Sequence, residues 1–403
     1  MRSWCVVVAL VSSCVPATAQ TVLSEEDVLS RLSENSPRVR AIRSAVDVAR
    51  ARVLSVGRWP NPRLAVSREA SAGVTETMTT ILQPLPVTGL RALEREAAAE
   101  LAEAADGRAD EKYQRARADV RQSYTLLAAN QARERELARS RDQLQELVDI
   151  LAAREAAGDT AGFDRLRAER ELLLVDADRL TAAAERLQAQ GELAGFFEGP
   201  TDSSTLVVAD LLPGRAAIPD ASALVERGEN TRGELRALER ERESARLSIG
   251  AARRRRVPEP ELLVGTKSST TSGGGVGSVI SVQAVIPLFD RGRPERALAE
   301  ARSRQLEAEI HAFRVTLGST IVALRAASTE RRGAADRYRA ASKNAAELER
   351  IARISYEAGE RGILDLLDVY RTGTEVRLRL ASLDAAARRA EIELEFVSGW
   401  EMP

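Results

Sequence analysis

Cysteine, histidine and aromatic residues are scarce in this 403-residue chain, and the scarcity argues against several classes of site. Both cysteines, Cys5 and Cys14, lie near the N-terminus, so the rest of the chain has neither a disulfide nor a thiolate site. The single histidine, His311, lacks the further His or Cys side chains that a common metal site needs. A Ser-His-Asp triad would depend on the same residue. We therefore expect no enzymatic activity, no cofactor and no resident metal.

Aromatic residues make up 3% of the chain and charged residues 30%. This composition is typical of long helices joined by narrow apolar seams, and not of a thick globular core. The formal net charge of -1 gives no general reason to expect nucleic acid. The basic run at 253–256 resembles a nucleic-acid patch, but it ends a predicted helix, where cations favour the helix dipole. We expect no nucleic-acid partner.

The N-terminus resembles a secretory signal peptide. Arg2 precedes an apolar stretch at 4–11, and Ala17-Thr18-Ala19 has the small residues of a cleavage site, which predicts cleavage after Ala19. An alternative interpretation is that the earlier Val-Ser-Ser-Cys sequence is a lipoprotein signal, which would leave a lipidated Cys14 at the N-terminus. Both interpretations predict export.

The remainder of the chain is internally duplicated. Matched residues of the two halves lie 200 or 201 positions apart: Pro86 and Pro287, Gly158 and Gly359, Asp164 and Asp365, and Gly199 and Gly399. This spacing is far longer than the 20 to 50 residues of a solenoid repeat. We therefore predict a signal peptide at 1–19, a first structural repeat at 20–199, a linker at 200–220 and a second structural repeat at 221–403.

Each repeat is predicted to contain a helix, a β-hairpin, a very long helix and a shorter return helix. Prolines in WPNPRLAV and VPEPELLV end the first helices, because proline disfavours a helical conformation in the preceding residue. β-branched residues on either side of glycine-containing turns predict the hairpins. For the first and second repeat in turn, the predicted elements are first helices at 37–56 and 221–255, hairpins at about 63–85 and 261–288, long helices at 90–157 and 294–358, and return helices at 163–197 and 363–397.

The predicted strands suit a membrane only if several copies of the chain combine. Beyond the N-terminus no stretch approaches the roughly 20 apolar residues of a membrane-spanning helix, so β-strands would have to cross the membrane. Four strands cannot close a transmembrane barrel, because the smallest barrels have eight strands and an open edge in lipid leaves backbone groups unsatisfied. Two copies would supply eight strands and three copies twelve. The circumference that a tube of long helices needs favours three.

Several segments, in order along the chain, resemble the TolC-like outer-membrane efflux family, including its heavy-metal and drug exporter branch. ILQPLPVTGLRALE and VQAVIPLFDRGRPERA resemble the two strand-to-helix passages of that family. VRQSYTLLAANQ resembles its first long helix, and SYEAGERGILDLLDVYRT its second helix-to-helix turn. The passages contain Pro86, Gly89, Pro287 and Gly292. The resemblance implies a mainly α fold with a small β part, whose trimer forms a 12-stranded β-barrel in the outer membrane continued by an α-helical barrel across the periplasm.

The resemblance also implies a role for two acids near the second turn. In the family, the turns that contain Gly158 and Gly359 lie at the periplasmic tip, where the tube narrows. Asp365 and Asp368 match inward-facing acids of the family, so three copies would form two carboxylate rings that favour cations. The alternative is an ordinary solvated helix start, where an acid complements the helix dipole.

A latch at the tip is implied in the same way. Tyr356 and Arg361 match positions that hold the closed tip together, and Asp164 matches their acidic partner on the neighbouring turn. The sequence departs from the familiar pattern in the Gly-Ile-Leu that follows the arginine, so the latch is expected to be set differently.

The function that the resemblance implies is a passive exit duct of a tripartite efflux pump that exports small molecules or metal ions. Its expected partners are a periplasmic adaptor protein, a proton-driven inner-membrane transporter and outer-membrane lipid. Two alternatives stay open: the outer-membrane component of a type I-like protein secretion system, and a periplasmic coiled-coil scaffold without a pore. The hairpins and the acids favour a pore over the scaffold, while the chain itself does not decide between efflux and secretion.

Overall fold

A computed structural model describes residues 22–33, 35–158, 162–198, 202–211, 217–271 and 273–401. The predicted signal peptide, Cys14 and Gly199 lie outside these ranges. Within them the chain is mostly helical with a small amount of β-structure, as predicted.

The two halves of the chain contain similar series of elements. The first half comprises β1 (Val22–Leu23), α1 (Glu25–Ser30), α2 (Pro37–Ser55), β2 (Arg63–Ser71), β3 (Val74–Pro84), α3 (Leu90–Ala156) and α4 (Gly162–Ala194), followed by a 3-10 turn (Ser203–Thr205) and β4 (Val207–Val208). The second half comprises α5 (Ala221–Thr231), α6 (Gly233–Arg254), β5 (Pro260–Ser269), β6 (Val276–Ala284), α7 (Arg293–Ala341), α8 (Ala345–Glu357) and α9 (Ile363–Ser398).

The longest helix, α3, organises the helical part. It has 67 residues, which corresponds to about 100 Å at 1.5 Å per residue. It packs along α4 and α6, and over part of its length along α2 and α9. Alanine is the commonest of its buried residues, with larger side chains such as Leu127, Leu144 and Leu151 at intervals. The helices therefore share narrow seams in place of one thick core.

Four strands form one antiparallel sheet in the order β2-β3-β5-β6. The register places Leu64 opposite Ile81, Ile81 opposite Val264, and Val264 opposite Ile280. Residues directly opposite each other in an antiparallel sheet share a face, and successive residues of a strand alternate between faces. The register therefore assigns every strand residue to one of two faces.

The two faces of this sheet differ in polarity. The apolar face carries Leu64, Val66, Ile81, Leu262, Val264, Val276, Ile280 and Val282. The polar face carries Arg63, Glu69, Glu76, Glu261 and Lys267. On the polar face, Lys267 Nζ lies 2.7 Å from a Glu76 carboxylate oxygen. Within these four strands, Arg68 is the one charged residue on the apolar face, and it lies toward the hairpin end.

The long first helix predicted for the second repeat at 221–255 was wrong, because the structure has two helices there, α5 and α6. Arg232 between them is extended, with φ -66° and ψ 120°. The Glu111 carboxylate of α3 accepts hydrogen bonds from the Arg232 guanidinium and from the backbone N–H of Gly233, the latter at 3.0 Å. A Cβ at Gly233 would collide with the carbonyl oxygen of Gly107. Close packing against α3 therefore fixes the break.

The second long helix, predicted as one element at 294–358, is also two helices, α7 and α8. The break falls at Ser-Lys-Asn, residues 342–344. The Ser342 hydroxyl donates to the Tyr338 carbonyl at 2.8 Å, and the N–H of Leu348 donates to the Asn344 carbonyl at 2.9 Å. The Ser342 side chain thus competes with the helix for a backbone carbonyl at the interruption, whereas the Asn344 side chain makes no capping hydrogen bond.

In the part that the structure describes, the segment predicted as a linker at 200–220 packs onto the helices. Within it, β4 pairs in parallel with β1, so Val22 lies opposite Val207. The Gln131 side chain of α3 holds Val208 from both sides, donating to its carbonyl and accepting from its N–H, each at 3.1 Å. Strands of two residues leave no recognisable pattern in a sequence, which is why β1 and β4 were not predicted.

Candidate functional site

Two glycine turns close the helical hairpins α3–α4 and α8–α9. Gly158 and Gly359 have φ values of 82° and 76°, the left-handed region that favours glycine. The N–H of Gly158 donates to the Glu155 carbonyl, and the N–H of Gly359 donates to the Tyr356 carbonyl, both at 3.0 Å. Both α3 and α8 therefore end at a left-handed glycine.

An apolar cluster joins these helix ends into one structure, which we call the tip. Its buried members come from all four helices: Leu144, Leu147, Val148 and Leu151 of α3, Ala168 of α4, Ala352 and Tyr356 of α8, and Ile363, Leu366 and Leu367 of α9. The cluster places the first turns of α4 and α9 beside the last turns of α3 and α8. The structure thereby brings the sequence-predicted acids and latch residues to one end of the molecule.

Asp365 and Asp368 lie on the exposed side of α9, opposite its buried Leu366 and Leu367. Asp368 accepts a hydrogen bond from Arg371 at 3.0 Å. The exposed side of α9 therefore also carries a cation, Arg371, that was not singled out from the sequence. Its spacing of three residues from Asp368 was the signal available for it.

Tyr356 is buried at the tip, and the Arg154 guanidinium of α3 lies 5.7 Å from its ring centroid. Burial raises the pKa of the Tyr356 hydroxyl; Arg154 opposes this shift and Asp164 adds to it. Tyr356 and Asp164 are thus close enough to interact. Arg361 is exposed, and its backbone N–H donates to the Ser355 carbonyl at 3.3 Å. In the part of the chain that the structure describes, the Arg361 guanidinium forms no ion pair within 4.0 Å.

A polar seam further from the turns connects α3, α8 and α9. The Thr374 hydroxyl donates to the Ser140 hydroxyl at 3.0 Å. The Arg377 guanidinium lies 2.9 Å from a Glu136 oxygen and 2.6 Å from a Glu349 oxygen. Sequence reasoning missed this seam, because its members come from three distant segments of the chain.

A cleft of about 320 Å³ lies between α3 and α8 at the tip. Its floor is apolar, with Leu147 and Leu366, and its rims carry charged residues such as Arg154 and Arg353. The Tyr370 side chain also lines it, and burial raises the pKa of the Tyr370 hydroxyl.

The four residues singled out at the strand-to-helix passages lie between strands and helices of the structure. Pro86 and Gly89 separate β3 from α3, and Pro287 and Gly292 separate β6 from α7. Gly89 and Gly292 are the residues that immediately precede the two long helices.

None of the helices in the described ranges is long and apolar enough to cross a membrane. In the same ranges, no group of three or more His, Cys, Asp or Glu side chains is placed to hold a metal ion.

Known proteins resemble this chain in sequence and in fold. Residues 224–399 match the family model described as outer membrane efflux protein. Over 388 residues the chain is 24% identical to the cobalt-zinc-cadmium resistance protein CzcC of Cupriavidus metallidurans. This alignment covers 95% of the chain and 92% of CzcC. The outer-membrane channel OprN has the same fold with a TM-score of 0.78 at 18% identity, over 94% of this chain and 90% of OprN.

The open state of the MtrE outer membrane channel of Neisseria gonorrhoeae gives a TM-score of 0.75 at 18% identity, over 93% of this chain and 88% of MtrE. The fold of the chain is therefore that of solved outer-membrane channels, and its second half resembles outer membrane efflux proteins in sequence. The family match covers much of the second half of the chain, and the alignment with CzcC extends over nearly all of it.

Proposed function

We propose that three copies of this chain form a continuous duct, with a 12-stranded β-barrel in the outer membrane and an α-helical barrel across the periplasm. The observation that carries this proposal is the four-stranded sheet, which has two faces of different polarity and two open edges. β2 and β6 are the edge strands. Pairing of β6 with β2 of the next copy would satisfy the backbone groups of both edges, and a closed ring of three copies leaves no edge.

The polarity of the sheet supports a membrane position. The apolar face, with residues such as Leu64, Val264 and Ile280, suits lipid. The polar face, with its Lys267–Glu76 pair, suits a water-filled lumen. Transmembrane barrels alternate apolar residues outward and polar residues inward in this way. A periplasmic scaffold without a pore has no use for such a face.

The helices offer a matching surface for neighbouring copies. Leucines on α4 recur every seven residues and are at least half exposed in the single chain: Leu166, Leu173, Leu180 and Leu187. On α8, Leu348, Ile351 and Ile354 are also about half exposed. A seven-residue repeat is the spacing of a left-handed coiled-coil seam. Helices of adjacent copies that pack on these stripes would form the wall of the tube.

At the tip, Asp365 and Asp368 of three copies would form two acidic rings at the periplasmic entrance, with Arg371 beside the second ring. Tyr356, Arg361 and Asp164 remain the proposed latch, now together with Arg154. Acidic rings favour cations over anions. The tip would therefore act as the selective part of an otherwise passive duct.

The duct is proposed to work in a tripartite efflux system. Its partners are a periplasmic adaptor, whose coiled-coil end would meet the tip near the cleft between α3 and α8, and a proton-driven inner-membrane transporter. Metal ions are the proposed cargo, because the relative CzcC is a cobalt-zinc-cadmium resistance protein and the tip carries acids. Loss of the gene should lower tolerance to these cations more than tolerance to organic drugs. The reverse result, or a defect in protein export alone, would contradict the cargo assignment.

The assembly can be tested by disulfide formation between copies, because the described residues contain no cysteine. Ala65→Cys on β2 is combined in turn with Val279→Cys, Ser281→Cys or Gln283→Cys on β6, all on the polar face. Within one chain, β2 and β6 are separated by two strands, which is too far for a disulfide. At least one double variant should give covalent trimers on denaturing gels, and each single variant only monomers. A single-chain mass in detergent with no interchain disulfide in any double variant would contradict the proposal.

A further inference from the structure

The four junctions between strands and helices lie at one end of the sheet. β3 and β6 end there, and β2 and β5 begin there, as the pairs Arg63 with Leu82 and Pro260 with Ala284 show. The junctions contact one another: the N–H of Leu85 donates to the Pro260 carbonyl at 2.8 Å, and the Thr88 hydroxyl donates to Glu259 at 2.6 Å. They therefore form a single layer between the sheet and the helices.

This layer carries exposed arginines that form no close salt bridge within the described ranges. We define the arginine collar as Arg58, Arg253, Arg256, Arg291 and Arg293, all exposed. Among the described residues, none of the five forms an ion pair within 4.0 Å. Elsewhere on the helices, arginines commonly pair with a carboxylate, and the adjacent Arg255 itself lies 3.3 Å from a Glu94 oxygen. The collar is therefore a local excess of positive charge in a chain whose formal net charge is -1.

Exposed apolar residues surround the collar. The exposed aromatic side chains close to the collar in the sequence are Trp59, at 67% of its accessible surface, and Phe289, at 97%. The neighbouring exposed aliphatic residues are Val87, Val257, Val285, Ile286 and Leu288. Val285 and Ile286 follow directly after β6, so exposed apolar side chains extend past the end of the sheet toward the collar. Aromatic residues are favoured at the boundary between hydrocarbon and water.

We propose that the arginine collar binds the phosphate groups of anionic phospholipids in the periplasmic leaflet of the outer membrane. This inference rests on the proposed membrane position of the sheet. With the apolar face in hydrocarbon, Trp59 and Phe289 lie at its boundary and the collar at the depth of the headgroups. A guanidinium donates two parallel hydrogen bonds to a phosphate, and none of these five guanidinium groups is engaged by a carboxylate within 4.0 Å in the described parts of the chain.

Four consecutive arginines at the end of α6 support this assignment on geometric grounds. Successive residues of a helix are rotated by about 100°, and α6 ends at Arg254, so the four side chains of the run leave the chain in different directions. Two members contact the neighbouring junction, where Arg254 donates to the Thr88 carbonyl at 3.4 Å and Arg255 reaches Glu94. Arg253 and Arg256 are left for the outside of the molecule.

The test uses the full chain extracted from outer membranes and reconstituted into nanodiscs that contain phosphatidylglycerol and phosphatidylcholine. Native mass spectrometry then measures which lipid the protein retains. The collar variant combines Arg256→Gln, Arg291→Gln and Arg293→Gln. The control variant combines Arg242→Gln, Arg246→Gln and Arg304→Gln, which are exposed on α6 and α7 but lie about 12–18 Å further along the helices from the sheet. Both variants lose the same charge.

The wild-type protein and the control variant should retain phosphatidylglycerol in preference to phosphatidylcholine. The collar variant should lose this enrichment at least tenfold, since each basic residue near an anionic membrane changes affinity by about fivefold. Equal enrichment in the collar and control variants would overturn the proposal. Displacement of the lipid by inorganic phosphate at constant ionic strength would also overturn it, because the site would then bind free phosphate.

Failure of the collar and failure of the proposed duct give different results. A trimer recovered from the outer membrane without lipid preference contradicts the collar alone. A protein that is absent from the outer-membrane fraction contradicts the membrane position of the sheet, on which the collar depends.

Discussion

Arg371 donates a hydrogen bond from Nη2 to Oδ1 of Asp368 at 3.0 Å, one turn along α9. Both side chains are largely exposed, Arg371 at 60% and Asp368 at 64%. An exposed pair of this kind contributes about 0–1 kcal/mol to stability, so its main effect at the tip is on charge. Each copy would present two acids and one arginine to the entrance, and the second ring would be partly neutralised.

Removal of this cation should strengthen the binding of blocking cations. In planar bilayers, we expect Arg371→Gln to lower the blocking constant of a trivalent cation added from the periplasmic side by about threefold to tenfold. The reason is that the positive charge of Arg371 no longer offsets the charge of the acids. Arg304→Gln, an exposed arginine on α7, is the control and should leave block unchanged. An identical blocking constant in both variants would place Arg371 outside the ion path.

Opening of the latch should raise single-channel conductance. Tyr356→Phe combined with Arg361→Ser is expected to do so, and Arg154→Gln should act in the same direction because its guanidinium lies over the Tyr356 ring. Hydrogen bonds to charged groups contribute roughly 1.5–3 kcal/mol each, and three copies multiply the effect. Arg350→Gln is the control, since Arg350 pairs with Glu347 on its own helix at 2.6 Å. Conductance that stays at the wild-type value in the first two variants would remove these residues from the gate.

The polar seam should depend on a glycine. A Cβ at Gly373 would collide with the Glu349 carboxylate, so Gly373→Ala should displace Glu349 from Arg377 and destabilise the protein by about 1–3 kcal/mol. Gly318→Ala is a matched control in α7, where nothing lies within 4 Å of the added Cβ. It should stabilise the protein by about 0.4–1 kcal/mol. In detergent, the midpoint temperature of thermal unfolding should therefore fall in Gly373→Ala and rise in Gly318→Ala. Shifts of the same sign would contradict the close approach of Glu349 to Gly373.

The contribution of α1 to the stability of the fold should depend on pH. Glu25 of α1 pairs with Arg121 of α3 and Arg388 of α9. Burial tends to raise the pKa of Glu25, but Arg388 and Arg121 outweigh burial and hold this pKa below its ordinary value of 4.5. A carboxyl with a lowered folded-state pKa stabilises the fold above its unfolded pKa, and this contribution is lost as the pH falls through the folded value.

Glu25→Gln should therefore lower the free energy of unfolding at pH 7 by about 1–3 kcal/mol. The difference from wild type should shrink as the pH falls below 4.5. Glu26→Gln, the exposed neighbour on α1, is the control. Glu395 also pairs with Arg121, and burial raises its pKa. Because Glu395 is present in both variants, their free energies of unfolding are compared with each other at every pH. A pH-independent difference between them would contradict the ion pairs of Glu25.

The sequence predicts the elements that have a regular pattern over many residues. Duplicated glycines at 158 and 359 indicate helix ends, because a left-handed residue is needed there whatever packs around it. The helix breaks at Arg232 and at 342–344 were not predicted, since the first depends on Glu111, a residue more than a hundred positions away. Local patterns carry no information about such partners.

The candidate site follows the same division. Asp365 and Asp368 were singled out because they match inward-facing acids of the TolC-like family, and their role stays a prediction. Arg154 and Gly373 were not, because each acts only through a residue brought close by folding: Tyr356 for Arg154, and Glu349 for Gly373.

Cation selectivity at the tip tests the account most directly. Wild-type channels should show a cation-selective reversal potential in a salt gradient, and trivalent cations on the periplasmic side should block them. Asp365→Asn combined with Asp368→Asn should weaken both properties together, since the change removes charge with almost no change in size. Glu226→Gln with Glu229→Gln, exposed acids of the same spacing on α5, should alter neither. The same reversal potential and blocking constant in wild type and in the Asp365/Asp368 variant would contradict an acidic entrance.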